Sequence, residues 1–274
     1  SLSLVPNLPL GVTRTGELSM WKGCATAAAV RAGVFAAQLA AQGMTGPSEP
    51  FEGRRGLWEQ AVGGQVNLGA FGGAGEPFRI SDTTFKIYPS QLHTQGPIGL
   101  ALELRSKVNL NTIDSILIKA YQVATSTAAS EPEKWDPKTR ETADHSIPYL
   151  VAVALQDGAV TPASFTKQRI HDPALRTLIS RMTVQEDEGF TRSYPGEFNC
   201  WMEIADRSGT CVAAQTSYPK GNRSNPLDDS EVEAKFRGLA SKTLTEDQCD
   251  RALEIVWSLE NISDLNELFD NLVV

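Results

Sequence analysis

This chain is poor in the side chains that hold metals or carry electrons. It has three histidines, His93, His145 and His171, with no His-x-His or His-x-x-x-His spacing and no clustered carboxylates around them, so no metal site is expected. Its four cysteines, Cys24, Cys200, Cys211 and Cys249, never form a Cys-x-x-Cys pair, which argues against a zinc knuckle or a dithiol redox motif. They read as reduced, small apolar residues, although Cys200 and Cys211 flank a hairpin and are placed to face each other across it. Positive charge is short as well. Lys and Arg number 25 against 33 Asp and Glu, a net charge of −8 with no basic stripe or tail, so nucleic acid is not an expected partner and any acid-binding cation must act locally. No apolar run is read as reaching the roughly 20 residues that cross a bilayer, and the start lacks a charged segment followed by an apolar one, so no membrane partner is expected. The glycines at 63, 64, 69, 72, 73 and 75 do not follow a strand into a helix at nucleotide-binding spacing; they read as loop, and no cofactor is expected.

What is present is material for a folded core. At 274 residues, 41% hydrophobic, the chain can bury one large domain or two smaller ones. Residues 24–42 are alanine-rich with Val30, Val34, Phe35 and Leu39 interspersed, which predicts a helix able to pack closely on several faces. A short helix is expected near 56–62. Alternation over 83–88 predicts a strand, then a turn to Gly96 and a helix over 97–106. Residues 111–121, with Ile113, Ile116 and Ile118, read as a strand, 125–142 as a polar loop, and 146–155 as a helix closed by Gly158. A helix over 173–181 and a strand over 182–185 precede a hairpin, 198–205 and 210–217, about Asp206-Arg-Ser-Gly209. Helices follow at 228–240, from the capping box of Thr245 and Gln248 to about 259, and after Ser263. The layout is α+β, with helical ends (1–75 and 221–274) around a mixed middle at 76–220.

The run Thr15-Gly-Glu-Leu-Ser-Met-Trp-Lys22-Gly opens the alanine-rich helix and places a lysine where free backbone N–H groups already attract anions. Ser19 is positioned to cap that helix. Lys22 is therefore a candidate carboxylate-binding residue, the alternative being a surface lysine near a helix start. His93 lies in a turn after the predicted strand, where its near-neutral pKa suits a general acid or base; the alternative is a turn-capping histidine. In Asp144-His145-Ser146, Asp144 is placed to cap the next helix and His145 to fix the long preceding loop. Arg140 has a fork suited to a bidentate carboxylate contact, or to pairing with Glu141 or Glu133 on the surface.

Three ordered motifs, Ser19-Met-Trp-Lys22-Gly, Tyr88-Pro-Ser-Gln-Leu-His93-Thr-Gln and Lys138-Thr-Arg-Glu-Thr-Ala-Asp-His145-Ser-Ile-Pro-Tyr149, resemble the 2-methylcitrate dehydratase (MmgE/PrpD) family. The resemblance covers essentially the whole chain. It implies a mainly helical domain formed by both chain ends, partial here, with an inserted smaller α/β sandwich domain and the active site in the cleft between them. It implies a homodimer and a metal-free dehydration of a tricarboxylate, 2-methylcitrate, to a methylaconitate in propionate breakdown. Lys22 and His93 would be catalytic, with Arg140 and His145 binding or shaping the substrate site. The setting would be the cytoplasm in a bacterium or the mitochondrial matrix in a fungus. Members of the family are longer, so the resemblance also implies either a C-terminal fragment or a separate polypeptide supplying the upstream helical segment. The family's cis-aconitate decarboxylase branch places a histidine where this chain has Gln91; an epimerase branch and a non-catalytic, partner-binding subunit are the remaining alternatives.

Overall fold

The computed structural model describes Thr13, residues 15–69 and residues 72–273; the apolar start at 1–6 lies outside the described residues. Helix α1 spans Trp21–Ala41. It is largely exposed, with Ala36 buried and Val30, Val34 and Phe35 facing outward. At 21 residues it is long and apolar enough, by length and composition, to cross a bilayer, which corrects the expectation that no segment here is. Alanine makes the difference, being apolar without being bulky. The start of α1 is nevertheless tied to the folded body, since the segment before it docks through Gly16 N–H to Glu131 Oε1 at 3.1 Å and Leu18 N–H to Thr142 Oγ1 at 3.1 Å. Ser19 does not cap α1. Met20 holds the N-cap position with no side-chain bond, and Ser19 offers only its carbonyl, to Lys22 N–H at 3.2 Å.

A single π-helical turn, Trp58–Val62, ends at Gly63. The strand expected over 83–88 does not form, because among the described residues no neighbouring strand runs beside it. Instead Phe85 N–H bonds to Gly221 O at 2.9 Å, and Tyr88 N–H to Gln95 Oε1 at 3.0 Å, so the alternation belongs to an irregular strap pinned by single contacts.

Helix α2 (Gln95–Leu104) leads to strand β1 (Ile113–Ala120), whose Ile113, Ile116, Ile118 and Ala120 are buried. The supposed loop at 125–142 is three short helices, α3 (Gln122–Ala128), α4 (Pro132–Trp135) and α5 (Arg140–Ala143). Their polar composition hides them, because hydroxyls that compete with the backbone elsewhere are satisfied within the turns. Thr125 Oγ1 donates to Gln122 O at 2.9 Å and Thr127 Oγ1 to Val123 O at 2.6 Å, while Thr139 Oγ1 caps α5 by accepting from Thr142 N–H. Helix α6 (Ile147–Asp157) follows, its first nine residues all buried, and stops at Gly158, whose φ of +71° is the left-handed turn a glycine takes without strain.

After α7 (Lys167–Ile170) and α8 (Pro173–Ile179) come β2 (Met182–Glu186), α9 (Glu188–Ser193), and the hairpin of β3 (Cys200–Asp206) and β4 (Cys211–Thr216). The sheet order is β2-β1-β3-β4, with β1 parallel to β2 and antiparallel to β3. Cys200 and Cys211 do not face each other: the register pairs Cys200 with Thr216 and Cys211 with Ala205, one thiol buried and one exposed at opposite ends of the hairpin. Helices α2 and α6 bring Ile98, Leu104, Leu150 and Leu155 into one core with Ile116, Ile118, Met202 and Ile204 of the sheet, burial that supplies most of the stability of such a layer. Helices α10 (Asp229–Ala240), α11 (Glu246–Trp257) and α12 (Asn266–Asn271) complete the described chain, the first two opened by capping boxes, Asp228 with Glu231 and Thr245 with Gln248. The protein is thus a mixed α+β fold.

One core contact carries a polar consequence. Tyr149 is fully buried on α6, its hydroxyl donates to Ser164 O at 2.5 Å, and burial pushes its pKa up to about 12. Tyr149→Phe strands a buried carbonyl and is expected to cost about 1–2 kcal/mol, read as a lower urea midpoint at unchanged slope.

Candidate active site

Two turns and one helix start meet on one side of this core. Lys22 enters from the first turn of α1, Asp144 and His145 from the turn between α5 and α6, and His93 from the 3-10 turn Leu92–Thr94 that leads into α2. The turns are stitched together by Gln91 N–H, which donates to Asp144 O at 2.9 Å. His93 therefore stands in a turn fixed at both ends, not after a strand.

Lys22 Nζ donates to Glu141 O at 2.7 Å and to the Asp144 carboxylate. That ion pair is mostly out of solvent, the two side chains being 10% and 19% exposed. His145 Nδ1 lies 2.5 Å from Asp144 Oδ1 and 3.1 Å from Lys22 Nζ. These contacts decide where the proton sits. An ionised carboxylate only accepts, so the shorter contact, to Asp144, places a proton on Nδ1, while the Lys22 ammonium directs its protons at Glu141 O and Asp144 and faces Nδ1 as a neighbouring charge. The imidazole then keeps its Nε2 lone pair available, held in that tautomer by a carboxylate that Lys22 holds in turn. Burial lowers the His145 pKa below the usual histidine value, the Asp144 hydrogen bond opposing it and the charges of Lys22 and Lys134 adding to it. Both burial and the neighbouring ammonium groups thus favour the neutral form of His145, whose Nε2 has no hydrogen-bond partner among the described residues.

The helix cap is a different residue from the one the sequence suggests. Ser146 Oγ caps α6 by accepting from Tyr149 N–H at 3.0 Å, which leaves Asp144 to serve Lys22 and His145. Lys22, for its part, is engaged by the protein's own carboxylate rather than offered alone to a ligand.

His93 is walled by aromatic rings. Its Nδ1 is 2.6 Å from Tyr121 Oη, Phe198 stacks along it at 6.4 Å, and Tyr194 meets it edge-on at 6.1 Å. Its pKa is lowered, first by burial and then by the charge of His145, so the two imidazoles share one electrostatic environment. Gln91 donates through Nε2 to Thr127 Oγ1 at 3.3 Å, and its buried Oε1 has no hydrogen-bond partner among the described residues. Arg140 stands apart from this group. It is exposed and lies 6.0 Å over the Phe165 ring, engaging neither Glu141 nor Glu133 as an ion pair among the described residues. The structure thus brings Lys22, His93 and His145 together with Asp144, Tyr121 and Gln91, and leaves Arg140 outside. Asp144 was legible only as a neighbour of His145, and Tyr121, at the end of β1, carries no local signal at all.

Two family models account for most of the chain: the MmgE/PrpD N-terminal domain over residues 1–68 and the MmgE/PrpD C-terminal domain over residues 88–261. The chain belongs to the MmgE/PrpD family. Within that family it is similar to cis-aconitate decarboxylase of Mus musculus, 25% identical over 191 residues that cover 68% of this chain and 38% of that protein. It is also similar to 2-methylcitrate dehydratase of Cupriavidus necator, 30% identical over 132 residues, 44% of this chain and 27% of that protein. The mitochondrial 2-methylcitrate dehydratase of Yarrowia lipolytica is 26% identical over 152 residues, 53% of this chain and 29% of the relative. The chain therefore spans well under half the length of these MmgE/PrpD relatives. Lys22 falls in the stretch matched as the N-terminal domain and His93, Asp144 and His145 in the C-terminal one, so the site joins residues of both.

Proposed function

We propose that this chain supplies the acid/base part of a hydro-lyase site that removes water from a β-hydroxy tricarboxylate, with 2-methylcitrate the leading substrate. The observation that carries the reading is geometric: His93 and His145 stand in one group of side chains, and Asp144, held by Lys22, engages His145 Nδ1 and leaves Nε2 to act as a base. His145 takes the proton beside a carboxylate, the C–H electrons become the new C=C bond, and the C–O bond breaks. His93 hydrogen-bonds the departing oxygen, and the Asp144 carboxylate offsets the positive charge as the His145 imidazolium forms. The imidazolium that His145 has become gives that proton to the departing hydroxide, which leaves as water while His145 returns to its neutral form.

Gln91 favours dehydration over decarboxylation, because an amide moves no proton and sits where the resemblance puts a histidine in the decarboxylase branch. The decarboxylase alternative retains support from the longer coverage of the mouse protein. The remainder of the helical domain, a second copy in a homodimer, and the enclosing two-domain arrangement belong to the same proposal.

The test is a parallel assay of the full-length protein or complete assembly against 2-methylcitrate, citrate and cis-aconitate. Water loss from 2-methylcitrate, seen as growth of the conjugated-acid absorbance, is the expected result. Carbon dioxide release from cis-aconitate with no dehydration would replace the reading with the decarboxylase one.

A further inference from the structure

Resting on that reading, we infer that Tyr121 is the positioning residue of the second imidazole: its hydroxyl donates to His93 Nδ1 and so holds the His93 proton on Nε2. Tyr121 is 2% exposed, and its Oη lies 2.6 Å from His93 Nδ1, its only hydrogen-bond partner among the described residues. A phenol has one proton to give. Were Nδ1 also protonated, two donors would face each other and a buried hydroxyl proton would have no acceptor, a costly arrangement. The lone pair must therefore be on Nδ1 and the N–H on Nε2. Burial raises the Tyr121 pKa, which keeps the phenol protonated and able to donate.

The geometry around the hydroxyl shows why it stays aimed. The Tyr121 ring stacks on Tyr194, centroids 4.6 Å apart and planes 13° apart, and Phe198 closes it edge-on at 5.9 Å and 88°. Phe198 also lies along the face of His93, their planes 17° apart, so one aromatic cluster clamps both members of the hydrogen bond. The two histidines then have opposite polarity. Asp144 leaves His145 with a basic Nε2, while Tyr121 leaves His93 with a donating Nε2–H, the complement a base and a leaving-group donor require.

The decisive measurement is nitrogen NMR of the imidazoles in the complete protein, with the His93 signals assigned by their loss in His93→Gln. Wild type should show His93 as the Nε2–H tautomer with Nδ1 accepting a hydrogen bond. Tyr121→Phe, which keeps the clamped ring, should shift His93 toward a mixture of tautomers and lower kcat about tenfold or more with KM little changed. Tyr194→Phe, which removes a hydroxyl not bonded to His93, should leave the tautomer alone. Finding the Nδ1–H tautomer in wild type, or an unchanged tautomer in Tyr121→Phe, overturns the assignment. The wild-type spectrum decides the matter even if the variant fails to fold. The tautomer is read without turnover, so its failure is separable from a failure of the hydro-lyase reading.

Discussion

His145→Gln, made in the complete enzyme, should lower turnover of 2-methylcitrate by about 10²- to 10⁴-fold, the usual contribution of a positioned general base. The variant should fold normally, because the side chain that caps α6 is Ser146 and not His145. Glutamine retains much of the size and a hydrogen-bonding end that can reach Asp144, but it offers no basic nitrogen. The loss should therefore appear in kcat, with thermal unfolding close to wild type. Near-normal turnover in a folded His145→Gln protein would remove the base assignment and return His145 to a role in shaping the loop.

Lys22→Ala should be damaging in a different way. It leaves the Asp144 carboxylate, 19% exposed, without its cationic partner. Breaking a buried pair from one side costs about 3–5 kcal/mol, and this partly hydrated pair belongs at the lower end, about 3 kcal/mol. The sign of the accompanying pH effect is fixed by charge. His145 has a lowered pKa, so its neutral, active form persists to pH values below the usual histidine range and the rate falls only as the imidazolium forms. The Lys22 charge is one of the causes of that lowering, so removing it raises the His145 pKa and moves the acid limb of the rate profile to higher pH. Asp144→Asn removes the group that opposes the lowering and should move the limb to lower pH, with a lower rate as the tautomer is lost. A pH–rate profile of both variants checks the pair. If Lys22 instead binds substrate carboxylate directly, Lys22→Ala would raise KM strongly with the acid limb unmoved.

The regular elements were readable where one physical signal dominated. The β-branched run at Ile113, Ile116 and Ile118 made a central strand, the fully apolar run after Ser146 made a buried helix, and the turn at Asp206 to Gly209 made a hairpin, because periodicity and turn chemistry act within a few residues. The elements misread were those decided by distant partners. Residues 83–88 alternate as a strand does, yet the backbone they meet is a glycine at 221 and a glutamine side chain at 95. The threonines and prolines of 125–142 describe a loop until their hydroxyls find carbonyls inside short helices.

The candidate site divides along the same line. Lys22, His93 and His145 could be singled out because ammonium and imidazole groups are scarce and lie in motifs. Their roles could not, since a role depends on which atom faces which, and sequence records no such facing. Lys22 looked like a cation waiting for a ligand and is engaged by Asp144, 122 positions away; Tyr121, a residue without any local signal, is the hydrogen-bond partner of His93. By itself the sequence determined the fold class and the inventory of reactive groups, set by composition and short-range pattern, and its three motifs carried the resemblance to the family. Tertiary structure alone decided which partner faces each ring nitrogen, Asp144 for His145 and Tyr121 for His93, and it is from that facing that the proposed roles follow, because a proton's position on a buried imidazole is governed by the acceptor or donor brought within hydrogen-bond reach.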